Sequence, residues 1–232
     1  TNINGAMNLI DACLDRKVKR IVALSTDKAS SPINLYGATK LCSDKLFIAA
    51  NSYAGSQDTR FAVVRYGNVM GSRGSIIPFF ISLKDKGELP ITDDRMTRFM
   101  ISLEQGVELV WHAFDDMEGG EIYVKKIPSM KVVDIARAIA PEATLKIVGV
   151  RPGEKLHEQM IGLEDSLSTY EYKEHFKILP SIHEWNKDFK RIKDGKLVPE
   201  GFTYCSNNNQ EWMTIEKLQA WIQDNQHKVG SI

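Results

Sequence analysis

Short apolar runs alternate along this chain with longer stretches of helical periodicity. Residues 21–24 (I-V-A-L) and 61–66 (F-A-V-V-R-Y) are apolar runs bounded by polar residues, as is typical of interior parallel strands. Helical periodicity covers residues 3–16 and resumes over residues 34–54, where Gly55 provides a stop. This alternation predicts an α/β fold with a doubly wound parallel sheet.

Further along the chain, apolar runs and stretches of helical periodicity recur in shorter segments. We predict helices over residues 76–86, 103–117, 131–140 and 215–222, and strands over residues 89–91, 121–124 and 145–148. A small strand pair is expected from Tyr170, Tyr172, Phe176 and Ile178. The segment that carries Arg95 and Arg98 is interpreted as too polar to be core.

The first strand leads into a polar loop, residues 25–34, whose side chains suggest chemistry. Ligands of open α/β sheets bind beyond the carboxyl ends of the strands, where Thr26, Asp27 and Lys28 are expected. Tyr36 and Lys40 follow four residues apart, on one face of the next helix. A nearby ammonium lowers a phenol pKa from about 10 and makes it a usable base. On the residues alone, an ordinary surface pair remains an alternative.

Composition narrows the classes of partner. The chain has 232 residues, of which 43% are hydrophobic, enough for a full core. Thirty basic residues balance thirty acidic ones, which gives no case for a nucleic-acid or polybasic membrane surface. Cys13, Cys42 and Cys205 are interpreted as reduced thiols, and no histidine or cysteine spacing indicates a metal. Without an apolar run of about 18 residues or a signal, we expect a cytoplasmic protein.

The loop and helix together resemble a known family. Ser25-Thr26, Tyr36 and Lys40 resemble the catalytic elements of the extended short-chain dehydrogenase/reductase family. S-T-D-K-A followed by N-L-Y-G-A-T-K is similar to the nucleotide-sugar 4,6-dehydratases that act on UDP-N-acetylglucosamine. The likeness continues through residues 65–75, 96–99 and 151–158. Larger membrane-associated enzymes of that group, which retain configuration at C5, have Met in place of Tyr36, so the resemblance implies the inverting type.

The resemblance implies roles for the residues of the loop and the helix. Tyr36 would take the C4 hydroxyl proton of the sugar, and Thr26 would hydrogen-bond the same oxygen. Lys28 would abstract the C5 proton, and protonated Asp27 would assist departure of the C6 hydroxyl. The implied cofactor is NADP, and the residues placed against it are Tyr36, Lys40, Tyr66 and Val69.

Candidate UDP-sugar ligands lie in three later segments. The loop of residues 67–75 has three glycines and presents Asn68 and Arg73, which favours close backbone approach to an anion over a plain glycine-rich connection. The resemblance implies that Arg98 binds the diphosphate, although a plain surface cation is the simpler interpretation of the residue pattern. In the R-P-G-E turn, Arg151 and Glu154 suit phosphate and ribose, with a turn salt bridge as the alternative.

The expected organisation is interleaved. Residues 1–75 are predicted to be the C-terminal portion of an NADP-binding Rossmann domain. Residues 76–165 are predicted to be mainly the UDP-sugar region, with a cleft between the two, and residues 166–232 a C-terminal extension. No glycine-rich dinucleotide turn precedes Ile21, so the resemblance implies that the first three βα units lie before Thr1.

Two alternatives stay open on the sequence. One is a UDP-sugar 4-epimerase or reductase of the same superfamily, and the other is a non-catalytic Rossmann-like module. The preferred prediction is an inverting UDP-N-acetylglucosamine 4,6-dehydratase, a homo-oligomeric hydro-lyase. The resemblance places this reaction at the start of pseudaminic-acid-type nonulosonate synthesis for flagellin or surface glycans.

Overall fold

A computed structural model describes residues 1–229 of the chain. Its helices are α1 (Asn2–Asp15), α2 (Leu35–Tyr53), α3 (Ile76–Leu83), α4 (Leu103–Asp116), α5 (Val132–Ile139), α6 (Phe189–Ile192), α7 (Ile215–Asp224) and α8 (Gln226–Val229). Its strands are β1 (Arg20–Thr26), β2 (Arg60–Tyr66), β3 (Asn68–Val69), β4 (Glu88–Ile91), β5 (Thr97–Ile101), β6 (Ile122–Lys125), β7 (Ser129–Lys131), β8 (Thr144–Ile147), β9 (Gln159–Ile161), β10 (Thr169–Glu171), β11 (His175–Ile178), β12 (Lys196–Leu197) and β13 (Tyr204–Cys205). The predicted α/β fold with a parallel sheet is confirmed.

The chain divides into two compact units, each assembled from three segments. The first unit comprises residues 1–66, 104–126 and 159–204, and the second comprises residues 67–103, 127–158 and 205–232. The first unit has a six-stranded sheet in the order β1-β2-β6-β11-β10-β12. β1, β2 and β6 are parallel, whereas β11, β10 and β12 run antiparallel to their neighbours.

The core of the first unit forms where β2 lies between two parallel neighbours. Ala62 and Val64 on this strand are fully buried and pack with Leu109 and Ala113 of α4. A strand covered on both faces has no solvated side, which explains the four consecutive apolar residues 61–64 in the sequence. The predicted strand pair near residue 170 is also present, as β10 and β11.

Strand β1 is longer than its apolar run. We predicted a strand over residues 21–24 and a loop from Ser25, but Ser25 and Thr26 continue the ladder opposite Arg65 and Tyr66. A short 3₁₀ helix, Asp27–Ala29, then follows directly. The pairing with β2 overrides the polar character of these two residues, and it carries Thr26 to the carboxyl edge of the sheet.

The second unit has a separate core. β3 and β5 pair in parallel, β5 and β7 pair antiparallel, and β4 pairs in parallel with β8. Helices α3, α5 and α7 contribute Phe80, Ile135 and Leu218 to one apolar cluster, and each of these side chains is at most 1% exposed.

Our interpretation of the segment around Arg98 as non-core is wrong. All five residues of β5, Thr97–Ile101, are buried. The Arg98 guanidinium is tolerated because it donates to the carbonyl oxygens of Thr97 (2.7 Å) and Leu156 (3.2 Å). Buried charge is accepted where hydrogen bonds replace water.

Residues 1–229 contain neither a candidate membrane-spanning helix nor a candidate metal-binding cluster. No helix in this part of the chain is both long and apolar enough to cross a bilayer. The same residues include no group of three or more His, Cys, Asp or Glu side chains arranged to hold a metal ion.

Candidate active site

A carboxylate at the end of β1 joins a hydroxyl and an amine. The Oδ1 atom of Asp27 accepts hydrogen bonds from Thr26 Oγ1 (2.9 Å) and from Lys28 Nζ (3.0 Å). Asp27 is only 1% exposed, whereas the Lys28 side chain is 36% exposed. The second carboxylate oxygen, Oδ2, is buried and has no hydrogen-bond partner in the structure described. This oxygen therefore has unused capacity to accept a hydrogen bond.

Helix α2 begins against this 3₁₀ turn and carries the predicted tyrosine. Its N-cap is Asn34, whose side chain accepts from the amide of Gly37 at 2.8 Å. A Cβ atom at Gly37 would lie 2.2 Å from the carbonyl oxygen of Lys28, so only glycine permits this approach. The first turn of α2, which carries Tyr36, therefore packs directly on the backbone of Lys28. The Tyr36 side chain is 52% exposed and accessible to a ligand.

Lys40 lies one turn after Tyr36 and is fixed by strand β1. Its ammonium donates to the carbonyl oxygen of Leu24 at 2.7 Å. Tyr66, at the end of β2, is the direct cross-strand partner of Thr26. Burial raises the pKa of the Tyr66 phenol, and the neighbouring charge of Tyr36 raises it further. The first unit thus brings together Thr26, Asp27, Lys28, Tyr36, Lys40 and Tyr66 at the carboxyl edge of its sheet.

A buried ion pair beneath this edge was missed by the sequence analysis. Arg65 Nη2 lies 3.3 Å from Asp44 Oδ2, and both side chains are only 2% exposed. Ser25 Oγ donates to the same Asp44 oxygen at 2.7 Å. The available signals were an arginine inside an otherwise apolar strand and an aspartate four residues after Lys40.

The second unit contains the remaining predicted residues. Arg98 is 8% exposed, and its Nε atom lies 3.8 Å from Glu158 Oε1, in addition to its two carbonyl contacts. Asn68 and Val69 form β3, and the Oδ1 atom of Asn68 is buried without a hydrogen-bond partner in the described chain. Arg73 is exposed in a turn that precedes α3.

In the R-P-G-E turn, residues 151–154, Arg151 and Glu154 contact each other through the main chain of Arg151 and not through its guanidinium. The amide of Arg151 donates to Glu154 Oε2 at 3.4 Å, and the Glu154 amide donates back to the Arg151 carbonyl at 3.1 Å. The Arg151 side chain itself is exposed. The turn therefore fixes the backbone and leaves a guanidinium facing solvent.

A parallel sheet followed by a Tyr-x-x-x-Lys helix, with Thr26 at the strand end, defines a Rossmann-like enzyme of the short-chain dehydrogenase/reductase type. Residues 1–180 match the family described as polysaccharide biosynthesis protein. The chain belongs to this family.

Two curated relatives illustrate the range of the family. The chain is 56% identical, over 94% of its length, to a Campylobacter jejuni protein named UDP-N-acetylglucosamine 4,6-dehydratase (inverting), and it covers 67% of that relative. It is 39% identical, over 96% of its length, to a Rickettsia canadensis protein named UDP-glucose 4-epimerase, of which it covers 66%. The chain thus spans about two thirds of the length of these relatives. The resemblance stated from the sequence is confirmed.

Solved structures agree on the fold. The protein called Pen from Bacillus thuringiensis superposes with a TM-score of 0.85 at 34% identity, covering 97% of this chain and 69% of that one. The Streptomyces venezuelae dTDP-glucose 4,6-dehydratase DesIV, solved with NAD, gives a TM-score of 0.58 at 22% identity, covering 67% of this chain and 55% of that one. At that identity the second likeness shows the fold alone.

Proposed function

We propose that the enzyme containing this chain removes water across C5 and C6 of UDP-N-acetylglucosamine and inverts C5. The observation that carries the proposal is the Asp27–Lys28 pair at the end of β1, in contact at 3.0 Å, directly beneath the first turn of the helix that carries Tyr36. The 56% identity to the relative of that name supports the same reaction. An acid and a base side by side are what a dehydration needs and a simple alcohol oxidation does not.

Oxidation at C4 comes first, because the C5 hydrogen of a hexose is not acidic until C4 is a ketone. Tyr36 takes the proton of the C4 hydroxyl, and Thr26 hydrogen-bonds the same oxygen. The exposed Tyr36 phenol, the Lys40 ammonium and the half-buried Tyr66 fit a nicotinamide dinucleotide at this edge. Such a cofactor would supply reversible two-electron oxidation, in which a hydride leaves C4 and is later returned at C6. Of the two dinucleotides we propose NADP, as the family resemblance implies.

The elimination step uses Lys28 and Asp27 in their neutral forms. The Lys28 amine takes the C5 proton, and the electron pair left behind forms the C5–C6 double bond as the C6–O bond breaks. Asp27 gives its proton to the departing oxygen, which leaves as water. Its Oδ2 atom, buried and without a partner in the described residues, is the oxygen we assign to that transfer.

These transfers leave Lys28 as an ammonium beside an Asp27 carboxylate. The 3.0 Å separation of Lys28 Nζ and Asp27 Oδ1 is short enough for a proton to pass between them. Moving one proton along this contact restores a neutral amine and a neutral acid without an external donor. When the hydride returns to C6, C5 takes up a solvent-derived proton from the opposite face of the ring, which inverts that centre. The C4 hydroxyl proton held by Tyr36 then passes to solvent.

We propose that residues of the second unit bind the nucleotide and the sugar. The exposed guanidinium groups of Arg73 and Arg151 suit the diphosphate, and Glu154 suits the ribose hydroxyls. Asn68 has a buried side-chain oxygen to offer a sugar hydroxyl. For Arg98, which is already held by carbonyl groups, we propose a single remaining bond to phosphate. A homo-oligomer, and a place early in nonulosonate synthesis, likewise remain proposals.

The mass of the product tests the reaction. Incubation of the intact enzyme with UDP-N-acetylglucosamine should give a UDP-sugar lighter by one water. The second candidate, a 4-epimerase, is favoured by the 39% identity to the Rickettsia relative, and it would leave the mass unchanged. An unchanged mass with a new C4 configuration would overturn the dehydratase proposal in favour of the epimerase.

A further inference from the structure

We propose that Arg65, acting through Asp44, is a positioning residue that sets the register of the catalytic groups in the first unit. This inference rests on the proposed function for its kinetic consequences. The structural argument is independent of the substrate, because it depends only on which elements the buried ion pair connects.

Arg65 connects elements that are distant in sequence. Its Nη2 atom faces Asp44 on α2 at 3.3 Å, and its Nη1 atom donates to the carbonyl oxygen of Met160 on β9 at 2.7 Å. Nη1 also lies 3.7 Å from Asp165 Oδ2. A single planar guanidinium, with its nitrogen atoms in a fixed fork, thereby determines the spacing of β2, α2 and β9.

Each of the connected elements carries or contacts a group assigned to the reaction. Asp44 lies four residues after Lys40 and eight after Tyr36, so the three share one face of α2. Ser25, which donates to Asp44 at 2.7 Å, directly precedes Thr26. Strand β9 packs against the 3₁₀ turn of Asp27–Ala29. The network therefore holds the tyrosine helix, the end of β1 and the acid–base turn in one arrangement.

Burial makes this arrangement stiff. Arg65 and Asp44 have almost no solvent contact, so water cannot solvate either charge if the ion pair is broken. Burial raises the pKa of Asp44, and the charge of Arg65 opposes that rise, followed by smaller contributions from Ser25 and Lys40. Because the carboxylate depends on these partners, a shift of α2 along its axis breaks several contacts together.

Three substitutions separate positioning from general stability. Arg65→Met removes the connection between the elements. Asp44→Asn keeps the shape and the acceptor for Ser25 but removes the charge, so it remains informative if Arg65→Met does not fold. Val64→Ala is the matched control, because Val64 is fully buried on the same strand but faces the opposite side, in the apolar cluster with Leu109.

Steady-state kinetics of the intact enzyme give the first readout. Misplacement by about 1 Å costs about 10²-fold in rate, so we expect kcat of Asp44→Asn to fall by about 10- to 100-fold. The KM for UDP-N-acetylglucosamine should change less than about twofold, because these side chains do not bind the nucleotide. Val64→Ala should lose stability and keep kcat. If kcat instead tracks stability across all three variants, or if folded Asp44→Asn keeps the parent kcat, the positioning role is wrong.

A second readout does not need the substrate. The ¹³Cζ resonance of Tyr36 in the ligand-free enzyme, assigned by its loss in Tyr36→Phe, should move in Asp44→Asn and stay in place in Val64→Ala. An unmoved resonance in Asp44→Asn would overturn the inference. If the parent enzyme fails to dehydrate the sugar, only the proposed function falls, and this measurement still decides the role of Arg65.

Discussion

Gly37→Ala tests the contact that places Tyr36 on the backbone of Lys28. A Cβ atom at this position would meet the Lys28 carbonyl oxygen at 2.2 Å and the Pro32 Cβ atom at 3.0 Å. To reach an ordinary separation of 3.4 Å from the oxygen, the two segments must move apart by 3.4 − 2.2 = 1.2 Å. The obstacle is a main-chain atom, so no side-chain rotation relieves the clash.

The displacement falls on one of two catalytic segments. Either the first turn of α2 moves and carries Tyr36 with it, or the 3₁₀ turn moves and carries Lys28. Overpacking of this kind costs about 1–3 kcal/mol of unfolding free energy. A misplacement of about 1 Å costs about 10²-fold in rate. We therefore expect a modest loss of stability and a much larger loss of turnover.

Urea unfolding and the rate of UDP-sugar dehydration, measured on the same preparation, separate the two effects. Gly5→Ala is the control, because Gly5 is an exposed position on α1 and a Cβ atom there meets nothing within 4 Å. That substitution should stabilise the protein by about 0.5–1 kcal/mol and leave the rate unchanged. Gly37→Ala with parental stability and parental turnover would refute the packing argument.

Two further predictions concern the catalytic role of Tyr36 and the effect of His175 on stability at low pH. Tyr36→Phe should abolish the transient absorbance of reduced nicotinamide while UDP-sugar binding persists, and normal turnover by this variant would defeat the C4 oxidation step. Burial, and then the charge of the adjacent His112, lower the pKa of His175 to about 4. Since the unfolded chain, with a pKa of about 6.5, binds the proton more readily, stability should fall as pH falls from about 6.5 through about 4. His175→Gln should flatten that slope and exposed His183→Gln should not. An unchanged slope in His175→Gln would exclude His175 as its source.

Local sequence pattern was sufficient for much of the fold. A strand buried on both faces gives a continuous apolar run, which identified β2. A helix buried on one face gives apolar residues at a spacing of three to four, which identified α2. Gly55 correctly marks the region where α2 ends at Tyr53. Thr26, Asp27 and Lys28 were predicted from their place beyond an apolar run. In the structure Thr26 is the last residue of β1, and Asp27 and Lys28 follow it directly.

The burial of Arg98 and the Arg65–Asp44 ion pair could not be predicted from the sequence, because both depend on contacts between residues far apart along the chain. β5 was misjudged because one of the two carbonyl groups that accept hydrogen bonds from Arg98 belongs to Leu156, 58 residues away. The Arg65–Asp44 pair joins residues 21 positions apart on different elements, so neither residue has a local signature. Tertiary contacts of this kind decide whether a charge is core or surface, and periodicity does not report them.

The most direct test of the account is the fate of the C5 hydrogen in deuterated water. The intact enzyme should introduce one deuterium at C5 of the product, because Lys28 removes the original proton and a solvent-derived one replaces it. Lys28→Ala should still bind the UDP-sugar and should introduce none. Deuterium at C5 of the UDP-sugar recovered after incubation with Lys28→Ala would contradict the assignment of Lys28 as the base.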